Sequence, residues 1–463
     1  MMVKRTARKT LLVVFASCAL THVAASQRPG VYREIDAYVA PYVATKNFSG
    51  QVLVRRGGKT IYERSFGEAD RENHVAVTPR TRFHIASLSM QLTSAAVLRL
   101  IDQGKLSLDT KVSEIVPSVR SGDRITIRNL LEQRSGISDV NARADYAQIL
   151  QQRQTPESLV AFVAKDTLLF EPGSKYVHEE HSAFNLLALI LERKTGRTFP
   201  QAMQQLLFVP AEMSGSAVDD DAGSCGSDAA HGYAPAGVTG ITTAQRIFWT
   251  AKAGNASACT TARDEARFVE ALFHGKLLGP ATRSLVVDTA GTPVGYGWFR
   301  RPNGRFGQFA FTLSGRSPGF ASHIIYLPRE DLTVVAFSNI YSSVASDIAY
   351  DVAAIALDLP YKPLALKVPL LPADSLDIAA MQFHFGPDFY QPNATLTFEK
   401  KGNEMFLRWP SGDLTPLIPV DRDNLIDRAY WEPVKIIRDA DGRPTSMTYD
   451  RFTGSVVVAR FLQ

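Results

Sequence analysis

The strongest constraint on the fold is a change of texture near residue 368. After it, short runs such as Ala394 to Phe398, Met405 to Trp409 and Val434 to Arg438 alternate with turns at Lys401-Gly402-Asn403, Ser411-Gly412-Asp413 and Asp441-Gly442. Short strands at near-regular spacing specify an all-β sandwich or barrel with its own core. Before it, helical apolar patterns alternate with strand-like runs and with loops containing Gly and Pro. The Pro-rich stretch Pro360 to Pro372 reads as the linker, and the expected bodies span residues 27–365 and 366–463.

Within the first body, Gln51 to Tyr62 reads as a β-hairpin turning on Gly57-Gly58. Ser87 to Gln103 reads as a helix with Leu92, Ala95, Ala96, Leu100 and Ile101 on its apolar face, closed by Gly104. Strand patterns return at His323 to Leu327 and Thr333 to Ser338 around a turn at Pro328 to Asp331. A helix over Ser346 to Leu357 follows. Pairing the early hairpin with these late strands makes one sheet. With 463 residues, 45% of them hydrophobic, the chain can bury cores that need no metal or disulfide staple.

The N-terminus reads as an export signal. Lys4, Arg5, Arg8 and Lys9 precede an apolar stretch from Leu11 to Leu20, and Ala24, Ala25 and Ser26 offer a cleavage site. The apolar stretch is about half the length a bilayer span needs. A lipid anchor at Cys18 is the weaker alternative, because Phe15 spoils the lipoprotein pattern. The expected location is therefore periplasmic or secreted. Less the leader's four, the 51 Lys and Arg become 47 against 46 acids, so the formal net charge drops from +5 to +1. No basic–aromatic stripe points to nucleic acid. Two cysteines then remain, Cys225 and Cys259, and an oxidising compartment makes them candidates for a bridge. The alternative is two separate buried thiols.

Phe83-His84-Ile85-Ala86-Ser87-Leu88-Ser89-Met90 resembles the nucleophile segment of the serine β-lactamase, penicillin-binding protein and esterase family. Further segments resemble that family in order: Gly104 to Asp109, Ile125 to Leu131, Ser135-Gly136-Ile137, Phe170-Glu171-Pro172-Gly173, Leu186 to Gly196, Tyr296-Gly297-Trp298 and Ser314 to Phe320. The resemblance covers roughly residues 35 to 360. It implies an α/β fold, a mainly antiparallel sheet flanked by helices plus an all-helical lobe. The last hundred residues resemble the small lipocalin-like β domain appended to esterase- and peptidase-type members. It also implies a cleft between sheet and lobe with Ser87, the nucleophile position, at its floor.

Three departures cluster on that site. The family's Ser-x-x-Lys places an amine one helical turn from the serine hydroxyl; here the position is Met90, which takes no proton. The second motif, normally Tyr-x-Asn, is replaced by His178-Glu179-Glu180-His181. The third, normally Lys or His, then Ser or Thr, then Gly, reads Leu313-Ser314-Gly315. Ser87 is then either a weakened acyl acceptor or a first-turn serine without chemistry. The 178–181 cluster is a replacement base, a metal site or a charged loop bordering the pocket. Its spacing is not that of His-Glu-x-x-His, so no metal and no cofactor is expected.

The expected function is an inactive or strongly weakened serine hydrolase homologue. Its cleft would bind a peptide, a cell-wall fragment or a small ester or amide. One rival is an active hydrolase using Ser87 with a non-standard base. A second is a structural or regulatory exported protein. The sequence leaves the oligomeric state open.

Overall fold

The structure, a computed structural model, describes residues 30–177, 180–275, 277–288, 294–364, 371–389, 391–449 and 457–462. The leader, Cys18 included, lies outside the described residues, as do His178 and Glu179 of the second-motif cluster.

The first body opens with helix α1 (Val31–Ala44) and the hairpin β1 (Gly50–Arg56) and β2 (Lys59–Phe66). Gly57 and Gly58 have φ of 55° and 72°, the two positive values a two-residue turn between twisted strands requires. The short strand β3 (Phe83–His84) and one 3-10 turn over Ala86–Leu88 lead into helix α2 (Ser89–Asp102). Helix α3 (His181–Thr195) is the spine of the helical lobe. Strands β4 (Ala217–Val218) and β5 (Ala258–Thr260) join β3 in a three-stranded sheet ordered β3-β5-β4, and helix α4 (Ala262–Phe273) follows.

The main sheet is completed by β6 (Val294–Gly295), β7 (Trp298–Asn303), β8 (Gln308–Ser317), β9 (Phe320–Leu327) and β10 (Leu332–Ser338), before helix α5 (Val344–Ala356). Its order is β6-β7-β8-β9-β10-β1-β2, antiparallel throughout. The early hairpin thus pairs with the late strands, Gly50 opposite Ser338 and Arg56 opposite Leu332. Every residue of β9 and β10 is buried, because helices cover both faces. Leu313, Ile324 and Val335 join α2, α3 and α4 in one apolar cluster. Ile325, Val334 and Ala336 join α1 and α5 in another.

The second body is a closed eight-stranded barrel: β11 (Gln382–His384), β12 (Thr395–Lys401), β13 (Glu404–Arg408), β14 (Leu414–Pro419), β15 (Asn424–Asp427), β16 (Glu432–Arg438), β17 (Pro444–Tyr449) and β18 (Val457–Leu462). Its interior is filled by side chains such as Phe383, Phe398, Leu407, Trp409 and Met447. Closure removes exposed edges.

The barrel docks through the segment after β15. Asp427 is fully buried and accepts bonds from the Ala429 and Tyr430 N–H groups, the Thr415 hydroxyl and the Tyr449 hydroxyl. That clamp presents Arg428, also fully buried, to the first body. Arg428 donates to Asn47 Oδ1 at 2.8 Å and to the carbonyls of Lys46, Gly237 and Gly240 at 2.9, 2.7 and 2.6 Å. Burial holds its guanidinium down to about 10, still a cation at neutral pH. Among the described residues no helix is long and apolar enough to cross a membrane.

Candidate active site

Ser87 stands in the 3-10 turn ahead of α2, partly exposed between buried Ala86 and Leu88. The sequence pattern predicts one continuous helix from Ser87; the α-helix begins two residues later. The residue before the serine explains this. Ala86 has φ of 50°, a left-handed conformation that costs a non-glycine residue and persists only where surroundings impose it.

Those surroundings are visible. Ile85 N–H donates to the Ala258 carbonyl at 3.1 Å, and the Ile85 carbonyl accepts the Ser322 hydroxyl at 2.6 Å. Gly315 on β8 lies so close that a Cβ there would sit 2.6 Å from the Ile85 carbonyl oxygen and 2.7 Å from the Ser87 nitrogen. Glycine at 315 is therefore the condition for bringing strand backbone against the serine's own N–H.

The side chains around this cradle are apolar. Met90 is 3% exposed and belongs to the cluster between α2, α3 and the sheet. Leu313, two residues before Gly315 and on the same face of β8, is 6% exposed in that cluster. Its neighbour Ser314 pairs with His323 in the sheet. Next to Met90, Gln91 donates to Glu265 of α4, which is fully buried. Burial, with the Asp264 charge behind it, pushes the Glu265 carboxyl up to about 8.

The described part of the second-motif segment is Glu180 and His181 at the start of α3. Glu180 is buried at the start of α3 and accepts the N–H groups of Ser135 and Gly136 at 3.2 and 3.0 Å. Burial pushes its carboxyl up to about 7 against those donors. His181 Nδ1 lies 2.8 Å from Asp139 Oδ2, so both residues are engaged in holding the lobe.

Sequence patterns missed a lysine and a tyrosine in the lobe. Lys252 is 7% exposed and donates to the Tyr146 hydroxyl at 2.9 Å. Burial and then the Asp139 charge push that phenol above its ordinary value. Arg316, directly after Gly315, is held between two rings, 4.2 Å from the Tyr341 centroid and 4.4 Å from that of Tyr430 of the barrel. Lys252 and Tyr146 stand in no motif, and Arg316, inside the Ser314 to Phe320 segment, meets its two rings only through the fold.

Beneath the serine segment, Cys225 and Cys259 form a disulfide with Cα atoms 6.0 Å apart, realising the pairing left open by the sequence. His231 lies 3.5 Å from Asp70, and His274 lies 2.9 Å from Asp331. Asn-x-Ser/Thr triplets occur at Asn47, Asn255 and Asn393; the first two asparagines are buried and Asn393 is exposed.

An antiparallel sheet under a helical lobe, with a serine cradled by strand backbone at a helix start, defines the scaffold of the serine acyl-transfer enzymes. The beta-lactamase family pattern matches residues 35–357, and the chain belongs to that family. It is 28% identical over 323 residues to the D-aminopeptidase of Gluconobacter oxydans, a match covering 68% of this chain and 60% of that one. A putative penicillin-binding protein, PbpX of Bacillus subtilis, is 28% identical over 176 residues, 38% of this chain and 43% of that one. The matches thus span less than two thirds of either relative.

Two solved structures share the fold. The octameric penicillin-binding protein homologue from Pyrococcus abyssi superposes with a TM-score of 0.64 at 19% identity, covering 92% of this chain and 99% of that one. The D-amino acid amidase from Ochrobactrum anthropi, solved with L-phenylalanine amide, gives 0.62 at 18% identity over 71% and 99%.

Proposed function

We propose that this protein is an exported member of the beta-lactamase family that has lost ordinary acyl transfer and retains its cleft for binding. The carrying observation is the pair Met90 and Leu313, both buried in one apolar cluster beside an intact backbone cradle. A serine hydroxyl needs a neighbouring base to become a nucleophile. Loss of a general base alone costs about 10² to 10⁴ in rate. Losses among groups that act together do not multiply.

The ligand class rests on the polar side chains of the first body, with Tyr430 of the barrel, and on the relatives. Arg316 and Lys252 supply cationic groups, and Tyr146, Tyr341 and Tyr430 supply aromatic faces. A relative named D-aminopeptidase and an amidase solved with an amino-acid amide favour a peptide, a cell-wall fragment or an amino-acid ester or amide. Export rests on the leader sequence. N-terminal sequencing of exported material should begin near Ser26 or Gln27, and retention of Met1 in the cytoplasm would contradict it.

A second reading, a hydrolase with a displaced base, is favoured by the buried Lys252–Tyr146 pair in the lobe. Intact-mass measurement after fluorophosphonate and β-lactam exposure separates the two. The binding reading expects no adduct and background rates on amino-acid esters and amides. A covalent adduct on Ser87, with a rate abolished by Ser87→Ala, would establish the hydrolase. Parallel loss in Lys252→Met, Tyr146→Phe or His181→Ala would then identify the base.

A further inference from the structure

The disulfide has an unusual neighbourhood for a structural staple. Cys225 Sγ lies 3.9 Å from His84 Nε2, and the same nitrogen lies 2.7 Å from Asp219 Oδ2. His84, Asp219 and Cys225 present ligand atoms that all fall within 4.8 Å of one another. Cys259, bonded to Cys225, stands directly opposite His84 in the β3–β5 pairing. All four residues are buried, at 7%, 9%, 4% and 0% exposure.

The geometry points to a second state of this cluster: with the disulfide reduced, Cys225, Cys259, His84 and Asp219 form a four-ligand site for a tetrahedral divalent cation of the zinc class. Two thiolates, an imidazole and a carboxylate are a donor set that zinc accepts, with Zn–S near roughly 2.3 Å. Tetrahedral sulfurs then stand roughly 3.8 Å apart, so each must swing by only about 1 Å from the bonded position.

The frame does not depend on the bridge. Asp219 N–H donates to the Ser257 carbonyl at 2.8 Å. The loop carrying Cys225 is held by Asp220 Oδ1, which accepts from Ala222 and Ser224, and by the Ser224 hydroxyl on the Val218 carbonyl at 2.9 Å. His84 is stacked on Trp249 at 3.8 Å with the rings 6° apart. Its Nδ1 has no hydrogen-bond partner among the described residues, so no such bond fixes the tautomer that keeps the proton on Nε2.

The chemistry balances as follows. A phosphine reductant delivers two electrons to the S–S bond and takes an oxygen from water, whose two protons go to the sulfurs. Cation binding then releases both thiol protons, while the His84 proton moves from Nε2 to Nδ1 and Nε2 donates its lone pair. Asp219 supplies the fourth ligand and one negative charge. His84 is three residues ahead of Ser87, so a cation would brace the serine segment where the disulfide does now.

The test titrates Co²⁺ into the full mature chain, reduced with a phosphine under argon and checked for folding by near-ultraviolet circular dichroism. The expected result is one Co²⁺ per chain, with thiolate-to-metal charge transfer, the intense visible bands of tetrahedral Co²⁺ and a raised Tm. The oxidised chain should show none of these. Cys225→Ser should cut the charge-transfer signal by about half, and the double variant Cys225→Ser with Cys259→Ser should remove it. His84→Phe, which keeps the ring stack, and Asp219→Asn, which keeps the shape, should each weaken binding at least tenfold. Three results overturn the proposal: no charge transfer in the reduced wild type, binding unaffected by both His84→Phe and Asp219→Asn, or a reduced chain unfolded with and without Co²⁺.

Discussion

The backbone around Ser87 and the side chains around Ser87 are built on different terms. The backbone keeps everything that close approach demands: a left-handed Ala86, a glycine against the serine nitrogen and the Ser322 bond to the Ile85 carbonyl. The side chains one turn along α2 and two residues before that glycine are core, Met90 and Leu313. The cradle is tied to long-range packing, so altering it would disturb the sheet, α2 and the β3–β5 pairing together. A side-chain terminus can change from amine to thioether with only local cost. Backbone geometry and side-chain chemistry at this serine are therefore set by different parts of the structure.

The sharpest way to break this comparison is to return an amine to the apolar side. Met90→Lys should destabilise the protein by about 4 kcal/mol, the scale of an uncompensated buried charge, and leave ester and amide hydrolysis at background. Urea denaturation and a rate assay read both. A stable, active Met90→Lys variant would show that the surroundings still expect a lysine.

The neighbouring Gln91–Glu265 pair tests how dry that side is. A carboxyl raised to about 8 from an ordinary 4.5 is neutral in the folded protein and ionised in the unfolded chain between those values. Its contribution is fully present below about pH 4.5 and is lost as pH rises toward 8. Wild-type stability should fall between pH 5 and 9 by on the order of 4 kcal/mol from this group. Glu265→Gln should flatten that part of the profile, as read by Tm across the range. An unchanged slope would mean that Glu265 ionises freely where it stands.

The backbone side is tested by Gly315→Ala. The new methyl would meet the Ile85 carbonyl, the Ser87 nitrogen and the Ser322 hydroxyl, all under 3 Å, and overpacking of this kind costs about 2 kcal/mol. Thermal melting should register it; a neutral variant would mean that the cradle is loose. The smallest effect belongs to Ser87 itself. Ser87→Ala should change stability by less than about 0.5 kcal/mol and leave ligand affinity within twofold by calorimetry.

Much of the fold was legible because its signals are local. Gly57-Gly58 announces its hairpin, and the short strand runs after about residue 368 announce a separate all-β body, sandwich or barrel, which closes as a barrel. Met90, Leu313 and Gly315 could be placed through the resemblance to the family's motifs, whose spacing a helical turn and a strand preserve. The left-handed Ala86 was not legible, since alanine carries no mark of that conformation and packing imposes it. Nor was the Lys252–Tyr146 bond, which spans 106 residues, nor Arg316 between a ring of its own body and a ring of the barrel. Those contacts exist only once the tertiary structure has formed.

Arg428 has a consequence for the order in which the molecule is made. The carbonyl of Lys46 and the amide oxygen of Asn47 leave the ribosome some 380 residues before the guanidinium that bonds them, with separations of 382 and 381. Until that arginine arrives, the groove that receives it presents several carbonyl oxygens without their cationic donor. A chain truncated before residue 428 should therefore behave as an unfinished protein: its first body complete in covalent structure, its groove open, and a client for chaperones that the full-length chain no longer needs.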